Sequence, residues 1–447
     1  MKSSPERTDI REGLGPEVQN PDILDLAPSL PRTVEDTGLN IGMLTDLCLK
    51  HLYYRGMASG IEIASNLRLP WSGVVNEVVD FLVEEKWADI RGGKGFGRVS
   101  VDFILTERGR TVAREAIARS AYDGPAPIPI AQYNALIKKQ GEAFTAVSGD
   151  DLIGAFDELV LPPDLMGKFG PAINANRSLF LFGPPGNGKT TIAEIIGAVI
   201  PGEVFVPDAL EVDGQIIKVF DPICHREVPQ DSIDTCIPGG KIDLDTRWHL
   251  CRRPAVIAGG ELTLETLDLI WNHDSRFYEA PFQVKANGGM LLIDDFGRQR
   301  VHPADLLNRW IVPLEKHIDY LTLHTGKKFD VPFDELVVFS TNLDPKDLVD
   351  EAFLRRIKYK IPIENPTEEA YREIFARMCE KLLIPYNDSA VSYIMDTYYR
   401  RMGIELRACH PRDILTLLRD AARFHKRRAV LSQDLVDQAC QSFFVVL

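Results

Sequence analysis

The spacing of apolar residues changes several times along the chain, and each change marks a separate piece. From Ile41 onward, Met43, Leu44, Leu47, Cys48 and Leu52 recur at helical spacing and predict a first helix. Ile61, Ile63, Ala64 and Leu67 predict a second, and Val74, Val75, Val78, Val79 and Leu82 a third after Pro70. Two strand-like runs follow, around 88–91 and 98–105, joined by GGKGFG, and then a helix from Glu107 to Tyr122. Three helices and a glycine-tipped hairpin predict a small winged helix-turn-helix domain over residues 38–121. Residues 1–37, rich in Pro, Glu, Asp and Ser without periodicity, read as a flexible tail. Residues 122–147 open with YDGPAPIPIAQY and read as a semi-rigid, proline-rich linker.

Beyond the linker, short unbroken apolar runs alternate with helical patterns, as in an α/β core with a buried parallel sheet. The run 178–182 leads into LFGPPGNGKT, in which Gly183, Pro184, Pro185, Gly186, Asn187 and Gly188 precede Lys189, Thr190 and Thr191 at the start of a helical pattern. Glycines there let backbone N–H groups face phosphate oxygens, Lys189 adds a cation for the outer phosphates, and the Thr190 hydroxyl is a candidate magnesium ligand. The run 290–293 ends in Asp294, a second candidate magnesium ligand, and Asp295, a candidate to orient or deprotonate an attacking water. ELVVFSTN places Asn342 at a third strand end, within reach of an outer phosphate or the water. AFLRRIKYKI supplies Arg355 and Arg356, whose guanidinium groups suit charge developing on a transferred phosphoryl group. ACHPRDIL puts Arg412 at the start of a helix in an all-helical tail.

This ordered set resembles the AAA+ ATPases over about residues 151–447. The resemblance implies an αβα core (148–362) and a helical lid (363–447), with ATP and Mg2+ as cofactors. It also implies a homo-oligomeric ring, usually a hexamer, whose active sites are shared between neighbouring subunits. By position, Lys189 and Thr190 match Walker A, Asp294 and Asp295 Walker B, Asn342 sensor 1 and Arg412 sensor 2. Arg356 is the first choice for the trans-acting arginine, with Arg355 second. Two features depart from the family. The second Walker B acid is Asp rather than Glu, one methylene shorter, which points to slow hydrolysis. The interval from Lys189 to Asp294, 105 positions, is long and includes an Asp213-Gly214 pair that predicts a type I′ hairpin turn. FYEAPFQVKANGGMLLIDD is similar to members with an insertion before Walker B, and LTLHTGKKFDVPFDELVVFSTN to members with a hairpin before sensor 1. Both suggest the branch of MoxR-type chaperones and magnesium-chelatase motors. Phe277, Tyr278 and Phe282 then become candidates for a ring pore, with ordinary packing as the alternative.

Composition narrows the partners. A net charge of −14 over 447 residues opposes general affinity for nucleic acid or anionic membrane. The third helix carries Glu77, Asp80, Glu84 and Glu85 against Lys86, which opposes DNA-groove binding, although the wing holds Lys94 and Arg98. A protein client or adaptor is therefore the expected partner of the winged domain, with nucleic acid the disfavoured one. Seven cysteines without paired spacing fit a reducing cytoplasm, MKSSPERTDI is too charged for a signal peptide, and no apolar stretch is long enough to span a bilayer. Cys224, His225, Cys236, His249 and Cys251 invite a zinc site, but their spacing matches no standard knuckle and buried free cysteines are the favoured reading. The expected function is an ATP-driven ring that remodels protein complexes. The alternatives are a DNA-associated motor or regulator, and a nucleotide-switched scaffold that barely hydrolyses.

Overall fold

The computed structural model describes residues 23–93, 97–229, 244–348 and 351–444. Its first unit comprises α1 (Ile41–Arg55), β1 (Met57–Ser59), α2 (Gly60–Leu67), α3 (Asn76–Glu84), β2 (Ala88–Gly93), β3 (Val101–Leu105) and α4 (Glu107–Arg119). Asn40 caps α1 through Met43 N–H, and Ser59 with Glu62 forms a capping box on α2. The strands form an antiparallel sheet in the order β1-β3-β2, and Leu44, Leu47, Val78, Leu82 and Phe103 fill the core beneath it. The order is thus helix–strand–helix–helix–strand–strand, closed by a fourth helix. Lys94 at the wing tip lies outside the described residues.

Two segments depart from expectation. Of the tail, residues 1–22 lie outside the described residues, but from Pro28 onward the chain is tied to the insertion. Asp245 N–H donates to the Pro28 carbonyl, and the Arg247 guanidinium donates to the Thr37 carbonyl at 3.2 Å. The linker is likewise built in, since β4 (Ile128–Pro129) pairs in parallel with a strand of the insertion described below and α5 (Ile130–Glu142) follows it directly. Tyr122, Ala126, Ile128 and Tyr133 are buried, Ala126 N–H donates to the Leu67 carbonyl, and the Tyr122 hydroxyl meets Asp208 at 3.0 Å. The extended backbone that prolines favour is also strand backbone, and the apolar residues between them find a surface to cover. Arg247, 1% exposed, binds both segments: it pairs with Asp245 at 2.7 Å and donates to the Pro127 carbonyl at 3.3 Å.

The chain continues through α6 (Gly149–Ala155), α7 (Pro163–Asn174), β5 (Leu179–Phe182) and α8 (Lys189–Val199). It then inserts β6 (Glu203–Pro207), β7 (Ala209–Val212), β8 (Gln215–Lys218) and β9 (Trp248–Arg252) before β10 (Ala255–Ala258). Next come β11 (Ile270–Asn272), β12 (Phe277–Glu279), α9 (Phe282–Ala286), β13 (Met290–Ile293), α10 (Pro303–Lys316), β14 (Ile318–Thr322), β15 (Lys328–Pro332) and β16 (Leu336–Thr341). Short helices α11 (Pro345–Leu348) and α12 (Glu351–Leu354) lead to β17 (Tyr359–Pro362). Helices α13 (Glu368–Lys381), α14 (Asp388–Ile394), α15 (His410–Phe424) and α16 (Gln433–Phe443) complete the chain around a core of their own.

The central sheet is parallel throughout, in the order β10-β13-β16-β5-β17. Alternating side chains divide between two helical layers. Leu179 and Leu181 face Phe169, Ile192 and Ile196, while Phe180 faces Phe296, Leu306 and Trp310. Burial on both faces explains why these strands read as continuous apolar runs. This is the αβα core, followed by a helical region, that the AAA+ resemblance implies.

The insertion builds a second sheet, β11-β12-β8-β7-β4. Asp213 (φ 52°) and Gly214 (φ 79°) close the β7–β8 hairpin with the two left-handed residues a type I′ turn needs. The expected hairpin before β16 is β14–β15. The aromatic residues considered for a pore are used in packing: Tyr278 is buried against Trp271 and hydrogen-bonds His324, Phe277 meets Tyr122 edge-on, and Phe282 packs beneath the central sheet.

One buried group carries a pH signature. Glu335, just before β16, is 4% exposed, and among the described residues neither of its carboxylate oxygens has a hydrogen-bond partner. Burial, then Asp334 and Asp319, push its carboxyl well above the ordinary glutamate value of 4.5. The folded state therefore holds a proton that unfolding releases, so stability falls as pH rises above about 4.5 toward the raised value. Glu335→Gln should melt higher than wild type at pH 7, by about 1 kcal/mol or more, with the gap closing near pH 4 in thermal scans; a constant gap across this range contradicts the assignment.

Candidate nucleotide site

The phosphate-binding sequence sits where β5 ends and α8 begins, flanked by the carboxyl ends of β16 and β17. Gly183 adopts φ 141°, and a Cβ there would lie 2.2 Å from the Ile363 carbonyl oxygen, so only glycine permits the turn out of β5. α8 opens at Lys189, so the amides of Lys189, Thr190 and Thr191 lie in its first turn, at the positive end of the helix dipole. The Lys189 ammonium folds back along the loop and donates to the carbonyls of Gly183 (2.9 Å) and Pro184 (2.8 Å). Burial lowers its pKa, Asp295 and Asp294 oppose that shift, and Arg407 adds to it.

The acids arrive from β13, two strands away. Thr190 Oγ1 donates to Asp294 Oδ2 at 2.8 Å, which brings the two proposed magnesium ligands together. Asp295 takes a left-handed conformation (φ 50°) and accepts from Asn342 Nδ2 at 3.0 Å. Phe296 N–H to the Ser340 carbonyl (2.7 Å) and Gln299 Nε2 to the Asp294 carbonyl (2.6 Å) hold this turn against β16. Lys189, Thr190, Asp294, Asp295 and Asn342 thus lie together at the carboxyl ends of β5, β13 and β16.

The arginines divide. Arg355 and Arg356 precede β17, whose carboxyl end pairs Pro362 with Phe182 at the phosphate loop, so both stand at the opposite edge of the sheet from their own loop. Arg356 Nε donates to Glu315 Oε1 at 2.6 Å, and the exposed Arg355 pairs with Glu351 at 3.2 Å. Together with Arg177 and Lys358 they line a basic pocket of about 520 Å³. Arg412 is exposed and bonded to Asp413 at 2.9 Å. The lid arginine beside the loop is Arg407, whose Cδ lies 3.6 Å from where a Gly186 Cβ would be. Arg407 sits in the irregular segment before α15, where no periodicity singles it out, and the PRD match points to Arg412 instead.

The zinc candidates do not converge. Cys236 lies outside the described residues, and among those described no group of three or more His, Cys, Asp or Glu side chains is placed to hold a metal ion. His225 accepts from Asp221 N–H at 2.9 Å, while His249 contacts Arg68 and Asp208 and stacks on Phe220.

A family model described as a domain of unknown function (DUF8689) matches residues 367–442, the segment that spans α13 to α16. No curated protein matches the chain. Similar solved structures include a point mutant of Thermotoga maritima RuvB, 13% identical with a TM-score of 0.36 and covering 62% of this chain and 69% of that one. Another is the T. maritima RuvB Holliday junction branch migration motor, at 15%, 0.35, 62% and 68%. A third is NtrX from Brucella abortus in complex with ADP, at 15%, 0.38, 74% and 65%.

Lys189→Ala should abolish ATP binding, because the loop has no other side-chain cation; calorimetric titration of the full chain checks this, and unchanged affinity contradicts the site. On its strand order and its phosphate loop, the chain has the α/β P-loop fold of AAA+ type with a helical C-terminal region.

Proposed function

We propose that this protein binds ATP with Mg2+ and hydrolyses it slowly in a homo-oligomeric ring, of six subunits in the simplest case, to remodel protein complexes. The observation that carries the reading is the convergence of the Thr190–Asp294 and Asp295–Asn342 pairs on the phosphate loop. The loop amides and Lys189 bind and orient the triphosphate. Thr190 and Asp294 offer the hydroxyl and carboxylate oxygens that Mg2+ takes, and the ion would neutralise phosphate charge. Asp295 accepts the proton of the attacking water or fixes its orientation, and Asn342 holds that carboxylate in place. A short carboxylate tied to Asn342 reaches less far toward the water, which supports slow turnover. Arg356, across the sheet from its own loop, serves the nucleotide of the neighbouring subunit, with Arg355 beside it.

Charge supports protein docking by the winged domain. Arg98, a cation at the base of the hairpin, forms an ion pair with Asp80 of α3, so the acidic helix offsets a charge that a DNA phosphate would use. The hairpin β14–β15 and the insertion before β13 support placement near the MoxR and magnesium-chelatase branch. Among the described residues no helix is long and apolar enough to cross a membrane, and the buried free thiols of Cys48, Cys251, Cys379 and Cys440 suit a reducing cytoplasm.

Asp295→Asn should bind ATP, stay assembled and fail to turn over, and in that ATP-held state it should retain its client protein on a column. Arg356→Ala should also bind ATP but lose turnover on the order of 10³-fold or more. Mixing the two should restore part of the hydrolysis, since an intact Asp295 in one subunit then meets an intact Arg356 from the next. A mixture that stays inactive despite subunit exchange contradicts the shared site, and a fully active Arg356→Ala removes that residue from it.

A further inference from the structure

Asn187 has a role that the phosphate-loop pattern does not require. It lies between Gly186 and Gly188, is 5% exposed, and directs its amide toward the lid. Its Oδ1 accepts from Ala408 N–H at 3.1 Å, and its Nδ2 donates to Asn365 Oδ1 at 2.8 Å. Asn365, in the connector after β17, donates in turn to Glu405 Oε2 at 2.8 Å. One residue away, Cys409 N–H donates to the Gly186 carbonyl at 2.9 Å, and the Cys409 sulfur packs so closely on Gly186 that a Cβ there would meet it at 2.6 Å. The lid is therefore fastened directly to the loop at positions 408 and 409, and at 405 through Asn365, so that the bonds lie on both sides of Arg407.

We propose that Asn187 is a positioning residue that latches the lid segment 405–409 to the phosphate loop and so holds Arg407 against the loop at Gly186, from where its guanidinium meets the outer phosphates of a bound nucleotide. The proposal rests on the nucleotide-binding reading above and adds to it the route by which the loop and the lid act as one body. A free 405–409 segment would leave Arg407, a long and flexible side chain, to search for its position at each turnover. With the segment bonded on either side, its backbone is set before nucleotide arrives. The loop amides and Lys189 need no help from Asn187 to bind the inner phosphates, so the latch governs turnover and not ADP affinity.

The test is a double-mutant cycle on the full chain, with ADP affinity, ATP turnover and amide exchange as readouts. Asn187→Ala should leave ADP affinity within roughly threefold while turnover falls roughly tenfold, the scale of losing hydrogen bonds to a buried amide. Arg407→Ala should cost on the order of 10²-fold in turnover, and the double variant should be no slower than Arg407→Ala alone. The amides of Ala408 and Cys409 should exchange faster in Asn187→Ala than in wild type, with or without nucleotide. Losses that multiply in the double variant, an ADP affinity that falls with turnover, or unchanged exchange at Ala408 would each overturn the latch. Wild-type protein that binds no nucleotide would overturn the underlying reading instead, and exchange at Ala408 would still decide whether the latch exists.

Discussion

The site depends on one contact across the central sheet, the hydrogen bond from Thr190 to Asp294. These residues come from strands that are not neighbours: β16 lies between β5 and β13, and the contact forms only because all three strands are parallel and end at the same edge. The register is strict, with Phe339 opposite both Phe180 and Ile293, so a slip of one residue in either strand would turn an acid or the loop toward the wrong helical layer. The full burial of Leu291, Leu292, Val338 and Phe339 enforces that register. The chemistry is therefore positioned by hydrophobic packing, and the polar residues add direction at the strand ends.

A second constraint joins the amino-terminal unit to the core. Arg247, nearly inaccessible to solvent and paired with the equally buried Asp245 of the insertion, donates to the carbonyls of Thr37 and Pro127, which flank the amino-terminal unit. A buried ion pair of this kind adds little net stability over an apolar replacement, yet leaving either charge unpaired is costly, so it acts as a device for fixing one arrangement. Tyr122 against Asp208 and Phe277, and Arg68 against His249, extend the same junction.

The phosphate loop is legible in the sequence because its geometry forces glycines and a lysine into a short local pattern. The acids and Asn342 are legible because buried parallel strands announce themselves as apolar runs with a polar end. The rest depends on contacts distant in sequence. A two-residue strand such as β4 has no period to detect, and its partner β7 lies beyond the phosphate loop. The proline-rich stretch that opens residues 122–147 reads as a linker because extended linker and extended strand share a backbone, and only the surface that buries Ile128 tells them apart. The lid arginine is hidden for a similar reason: Arg412 has the local PRD signature, while Arg407 owes its place to backbone bonds at Ala408 and Cys409 that no spacing reveals.

The central claim is that Thr190 and Asp294 form a cation site serving a nucleotide, and the most direct measurement is the ATP dissociation constant of the full chain with Mg2+ and with EDTA. The account predicts that Mg2+ tightens binding and that Asp294→Asn abolishes this dependence while leaving metal-free binding close to wild type. Equal affinity with and without Mg2+ in the wild-type protein, or no ATP binding at all, would contradict it.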